Sequence, residues 1–133
     1  MMVVVDTHAL VWQLNGDMRI GKRARAQLER ALTREELCVS AVTFWDISLL
    51  VSRDRLRLDM TITHFRWRVL EMGIRELVVG GDVALQAAAL APVLVDPVDC
   101  FVAATALTHG ATVMTADTRL LESRVVDVLD ARR

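Results

Sequence analysis

The chain has 133 residues, 53% apolar and 25% charged, with a formal net charge of −1. That length supports one domain with a substantial core and leaves no room for two of ordinary size, so residues 1–133 are read as a single domain. The charge balance argues against a uniformly basic nucleic-acid binder. The longest nearly uncharged apolar run, Val83 to Val95, is interrupted by Gln86 and Pro92 and falls short of a membrane span.

Met2 to Val5 is a β-branched run closed by Asp6, the pattern of a strand buried on both faces. Thr7 is placed to cap a helix through about Leu14, which Asn15-Gly16-Asp17 ends. A second helix follows from Gly21 to Leu32, with Ala24, Leu28 and Leu32 four apart. Leu37 to Val39 reads as a short strand, and Ser40 as the cap of a helix carrying Val42, Trp45, Asp46, Leu49 and Leu50. Beyond a charged connection, Arg53 to Asp59, another helix spans Ile62 to Met72 and stops at Gly73. Leu77 to Val79 is expected as a strand, and Asp82 as the cap of the alanine-rich helix Val83 to Leu90. Asp96-Pro97 opens a helix that runs to His109-Gly110. Ala111 to Thr115 is a strand, Asp117 to Leu121 a short helix, and Val125 to Val128 a last strand. Strands alternating with helices predict an α/β domain whose parallel sheet is covered on both faces.

The N-terminus has no basic region and no apolar segment of signal-peptide length, so a cytoplasmic protein is expected. Cys38 and Cys100 sit within apolar patterns without metal-ligand spacing and read as buried reduced thiols. Basic residues gather at Lys22, Arg23 and Arg25, at Arg53, Arg55 and Arg57, and at Arg66 and Arg68. Each cluster reads first as a solvated face and only secondarily as a phosphate-binding patch.

In parallel α/β sheets the loops that carry chemistry gather at the C-terminal ends of the strands. Four acids fall in such places: Asp6, Asp46, Asp99 and Asp117, each from a different strand-to-helix region. Carboxylates brought together without a cation raise one another's pKa. All-oxygen donors suit Mg²⁺ or Mn²⁺, and metal-dependent phosphodiester hydrolysis is the reaction class these residues suggest. Each acid also has a structural explanation to be weighed. Asp96 is explained as an N-cap before Pro97; Asp99 fits a capping box, and Asp117 a cap of the helix after it. Asp6 has no cap to make if Thr7 makes it, and Asp46 lies between Trp45 and Ile47, where a charge is normally paired or a ligand.

Four segments then carry a resemblance. "VVVDTHALVW", "VSAVTFWDIS", "DPVDCFVAATAL" and "VMTAD", in this order and spacing, resemble the PIN-domain ribonucleases of the VapC toxin type over Met2 to about Val128. The resemblance implies a three-layer α/β/α sandwich with a central parallel sheet and Mg²⁺- or Mn²⁺-dependent endoribonuclease activity. It also implies RNA as substrate, a cognate VapB-type antitoxin laid over the helices near the site with an arginine toward the acids, and a homodimer. Asp6, Asp46, Asp99 and Asp117 match the four family acids as catalytic and metal-binding residues. Thr115 matches a small hydroxyl residue placed to hold a ligand carboxylate such as Asp6, and Thr7 fits as cap and support; His8 is left unassigned. Two departures stand out: Asp46 where the family usually has glutamate, and Cys100 where an arginine often follows the third acid, removing a cation expected at the site's edge. Trp12, Trp45, Phe65 and Trp67 are candidate partner anchors, with core packing the commoner explanation for each.

Two other readings of the same residues remain. One is a PIN-like metal- and RNA-binding module weakened by Asp46 and Cys100. The other is a haloacid-dehalogenase-like phosphatase, which needs a second aspartate where this chain has His8, and a lysine after a later strand that is missing.

Overall fold

A computed structural model describes residues 1–133. Its elements in chain order are β1 (Val3–Val5), α1 (Thr7–Leu14), α2 (Lys22–Thr33), β2 (Leu37–Ser40), α3 (Val42–Ser52), α4 (Ile62–Glu71) and β3 (Arg75–Leu77). They continue with α5 (Gly81–Leu90), α6 (Pro97–His109), β4 (Thr112–Thr115), α7 (Thr118–Ser123) and β5 (Val128–Asp130). The five strands form one sheet in the order β3-β2-β1-β4-β5, and every pairing is parallel.

Successive strand residues point to opposite faces, and the two cores follow that alternation. Val3, Val5, Leu37, Val39 and Met114 pack with α1, α2, α3 and α4 on one face. Val4, Cys38 and Val113 pack with α5, α6 and α7 on the other. The expected three-layer sandwich is therefore present, and the unbroken apolar runs of β1 and β2 are the signature of strands buried twice over. Both cysteines are buried and unpaired, as read from the sequence. No helix is long and apolar enough to cross a membrane.

From β1 the chain steps outward through β2 to β3 using helices of the first face. It then returns across the sheet by α5 and α6 to lay β4 on the other side of β1. The strand order thus reverses between β1 and β4, and the crevice beyond the carboxyl ends of those two strands is where this class of sheet opens a binding site.

The edges of the sheet differ from expectation. β3 lies at Arg75–Leu77 rather than Leu77–Val79, and β5 at Val128–Asp130 rather than Val125–Val128. Each pairs on one side only and is partly exposed, so neither needs a continuous apolar run, and hydrogen-bond register to the neighbouring strand decides its limits. Val126 instead buries itself in the second core. Ser40 acts just ahead of α3, its Oγ accepting from Val42 N, while α5 begins at Gly81, before the expected cap Asp82.

Candidate active site

β1 ends by handing the chain to α1 through Asp6. The expected cap, Thr7, is instead the first helical residue, and Asp6 is the N-cap, its Oδ1 accepting from Ala9 N at 3.0 Å. Its other oxygen, Oδ2, accepts a short hydrogen bond from Thr115 Oγ1 on β4. Asp6 therefore bridges the ends of the two central strands. Capping and a site role do not compete, because a carboxylate has two oxygens and more than one lone pair on each.

Thr7, freed from capping, donates from Oγ1 to Asp46 Oδ2 at 2.7 Å and so fixes the half-buried acid of α3. Asp99 sits in the first turn of α6, 8% exposed. Asp117 caps α7 through Arg119 N, and its own N–H donates to Thr115 Oγ1. Thr115 thus serves two acids at once, donating to Asp6 and accepting from Asp117.

All four acids line one cavity of about 480 Å³. Asp96 lines it too: it caps α6 through Val98 N, as expected, yet also faces the cavity as a fifth carboxylate. His8, Trp12, Arg19, Arg55 and Arg132 complete much of the polar lining.

The electrostatics record the crowding. Burial pushes the Asp6 carboxyl above its ordinary value, against the lowering effect of its hydrogen bonds from Thr115 and Ala9 N. Asp99 is pushed up to about 7, first by burial and then by repulsion from Asp96, Asp117, Asp6 and Asp46. Five acids that repel one another in a half-enclosed cavity make a site that favours cations.

A family model described as "PIN domain" matches residues 3–125. The chain belongs to the PIN domain family. It is 28% identical over 123 residues to "Ribonuclease VapC22" of Mycobacterium tuberculosis (strain ATCC 25618 / H37Rv), 92% of each chain being covered. Among solved structures it superposes on FitAcB from Neisseria gonorrhoeae with a TM-score of 0.67 at 24% identity, covering 98% of each chain. It superposes on VapBC2 from Rickettsia felis, bound to a promoter DNA fragment, with a TM-score of 0.71 at 12% identity, covering 97% of this chain and 98% of that one. At those identities the structural likeness is one of fold, and it agrees with the sandwich described above.

Whether this PIN domain suits a divalent cation is a question of donors and charge. The donors are mostly hard carboxylate oxygens, with one imidazole in the lining, His8, and no cysteine. None of the five acids is in an ion pair, and Asp99, raised first by burial, is raised further by its four neighbours. As placed, no three of the side chains stand close enough to hold one ion directly. The fit is thus one of charge and donor type.

Two expectations change here. Cys100 does not border the cavity: it is buried in the second core, and its Sγ donates to Leu94 O at 2.9 Å. Position 100 faces α5 rather than the acids, so the cysteine leaves no gap in the cavity wall, and the cations come from Arg19, Arg55 and Arg132. Of the four aromatic residues, Trp12 and Phe65 are core, while Trp45 and Trp67 are 56% and 58% exposed. Sequence reasoning misses Arg19, Arg132 and the second role of Asp96. Nothing local marks the two arginines: Arg19 folds back on Trp12 through the turn after α1, and Arg132 arrives from the far end of the chain.

Proposed function

We propose that this PIN domain is the toxin of a toxin-antitoxin pair, a metal-dependent endoribonuclease that hydrolyses RNA phosphodiester bonds at Asp6, Asp46, Asp99 and Asp117. The observation that supports it best is the meeting of these four carboxylates, from four strand-to-helix regions, in one cavity beyond β1 and β4. The likeness to a relative named a ribonuclease and to proteins solved as toxin-antitoxin complexes points the same way.

Asp6, Asp99 and Asp117 would hold a Mg²⁺ or Mn²⁺ ion, in part through its retained waters because no three side chains stand close enough to hold it directly, with Asp46 completing the set. Such an ion supplies charge neutralisation and water activation for attack on a phosphodiester. The protein's own part is orientation. Thr115 Oγ1 and Ala9 N fix the two oxygens of Asp6, and Thr7 Oγ1 fixes one oxygen of Asp46. Such supporting hydrogen bonds spare the site the cost of ordering its ligands when the ion arrives. Asp99 can hold or release a proton near neutral pH, so at its carboxylate oxygens it is suited to accept a proton from an attacking water. The same acidic cavity is suited to an arginine from a VapB-type antitoxin, and the family resemblance carries with it a homodimer; the expected cytoplasmic setting rests on the N-terminal sequence pattern.

Purified protein is to be incubated with total cellular RNA in Mg²⁺, Mn²⁺ or EDTA, with Asp99→Asn alongside. Discrete fragments that need the metal and vanish in the variant are the expected result. Intact RNA in every lane with a correctly folded protein refutes the enzymatic reading and leaves a non-catalytic interaction module.

A further inference from the structure

Arg132 has an unusual setting. It lines a cavity with five aspartates, yet it makes no ion pair; the pairs present are Met1 with Glu36, Arg19 with Asp17, Arg66 with Glu76 and Arg133 with Asp130. An arginine left to itself beside several carboxylates closes on one of them. Arg132 is held from doing so by two interactions. Its NH1 donates to Ala116 O at 2.7 Å, and its guanidinium carbon stands 5.6 Å from the centre of the buried Trp12 ring.

The backbone on either side of Arg132 is also pinned. Ala131 N donates to Thr115 O at 2.8 Å, Gly21 N donates to Ala131 O at 2.9 Å, and Arg23 N donates to Arg133 O at 2.9 Å. A Cβ at Gly21 would meet Arg133 C at 2.1 Å, so only glycine lets the segment lie there. Arg19 shares the platform, its guanidinium carbon 4.7 Å from the Trp12 ring centre and its fork held by Asp17. Two oriented guanidinium groups therefore stand on one tryptophan at the margin of the acidic cavity. Arg19 uses its fork on Asp17, so the donors left for something anionic are those of Arg132, which pairs with none of the cavity acids.

We infer that Arg132, braced on Trp12 beside Arg19, is a positioning residue that binds a backbone phosphate of single-stranded RNA as it enters the acidic cavity. The inference rests on the ribonuclease reading above. Guanidinium groups match phosphate oxygens through paired N–H donors, and a pre-oriented one loses little entropy on binding. A cation at the cavity margin also gives a polyanion a way to approach carboxylates that would otherwise repel it.

The test is binding of a labelled, random-sequence single-stranded RNA in EDTA across a range of salt, with cleavage measured separately in Mn²⁺. Arg132→Ala is expected to weaken binding roughly tenfold, as for removal of a hydrogen bond to a charged group. It is also expected to lower the slope of log affinity against log salt by about 0.7, the value for one fewer phosphate neutralised on a single strand. Arg132→Lys should keep the slope and lose part of the affinity. A purely structural role, acting through Ala116 and the adjacent Asp117, would lower cleavage without moving the salt slope. Wild type that binds and cleaves RNA, with an unchanged slope in Arg132→Ala, overturns the assignment to Arg132 alone. Wild type that neither binds nor cleaves overturns the ribonuclease reading, and the phosphate-binding role with it.

Discussion

Replacing Asp99 by asparagine should stabilise the metal-free protein while destroying its activity. The Asp99 carboxyl titrates at about 7 in the folded chain against 3.8 ordinarily, chiefly because it is buried and secondarily because four aspartates surround it. Between those values the native state keeps a proton that the unfolded chain releases, so stability falls as pH rises across that window and levels off above it. At about 1.4 kcal/mol per unit, the cost of Asp99 at neutral pH is on the order of 4 kcal/mol. Asparagine has nearly the same shape and no charge to bury, so the variant should gain about 2–4 kcal/mol at pH 7 in EDTA.

Urea unfolding of both proteins from pH 5 to pH 8 measures this. Groups of opposite sign act lower: Asp17, held down to about 2 by Arg19, and Glu76, held down by Arg66, add stability as pH rises, but that gain is complete near pH 5. Asp6, raised by burial, has the same sign as Asp99 and remains in both proteins, so their difference reports Asp99 together with its repulsion of the neighbouring acids. Added Mn²⁺ should stabilise the wild type more than the variant, since binding to the native state shifts stability by mass action. Parallel pH profiles, or a variant less stable than wild type at pH 7, would refute the claim that burial and neighbouring aspartates penalise the charged form of this residue.

Asp6→Asn should lose cleavage and keep a thermal transition close to wild type, because asparagine caps a helix about as well as aspartate; a calorimetric scan beside the cleavage assay checks both. Thr115→Val removes the donor to Asp6 and the acceptor for Asp117 N, and should weaken Mn²⁺ binding by about 10–100-fold in calorimetric titration. Ile47, fully buried in the first core, should cost about 2–5 kcal/mol when cut to alanine, read from denaturant unfolding. Gly110 ends α6 at φ +62° with nothing within 4 Å of an added Cβ, so Gly110→Ala should cost only the left-handed backbone penalty of about 1–2 kcal/mol, and Gly110→Asn less.

Features set by local chemistry are legible in the chain before it folds. The valines of β1 and the apolar Leu37 to Val39 announce strands buried on both faces, Asp96-Pro97 and Gly110 bound α6, and alternating elements dictate a parallel sheet with helices on each side. Of the four acids, Asp6 and Asp46 are legible as charges that the local pattern leaves unexplained, whereas Asp99 and Asp117 have local helix-terminus explanations and stand out only through the order and spacing of the motifs that hold them. The edge strands are less so, because β3 and β5 take their limits from register with a neighbour rather than from their own residues.

Packing, by contrast, decides which local explanations exclude a functional one and which do not. Asp6, Asp96 and Asp117 are all helix caps, and all three also face the cavity, since capping uses one oxygen and leaves the other available. Packing likewise turns Cys100 toward α5 and brings Arg19 and Arg132, 113 positions apart in the chain, onto the same tryptophan. Direction of a side chain and contact between distant segments depend on how helices and tail pack across the sheet, and no short stretch of sequence carries that information.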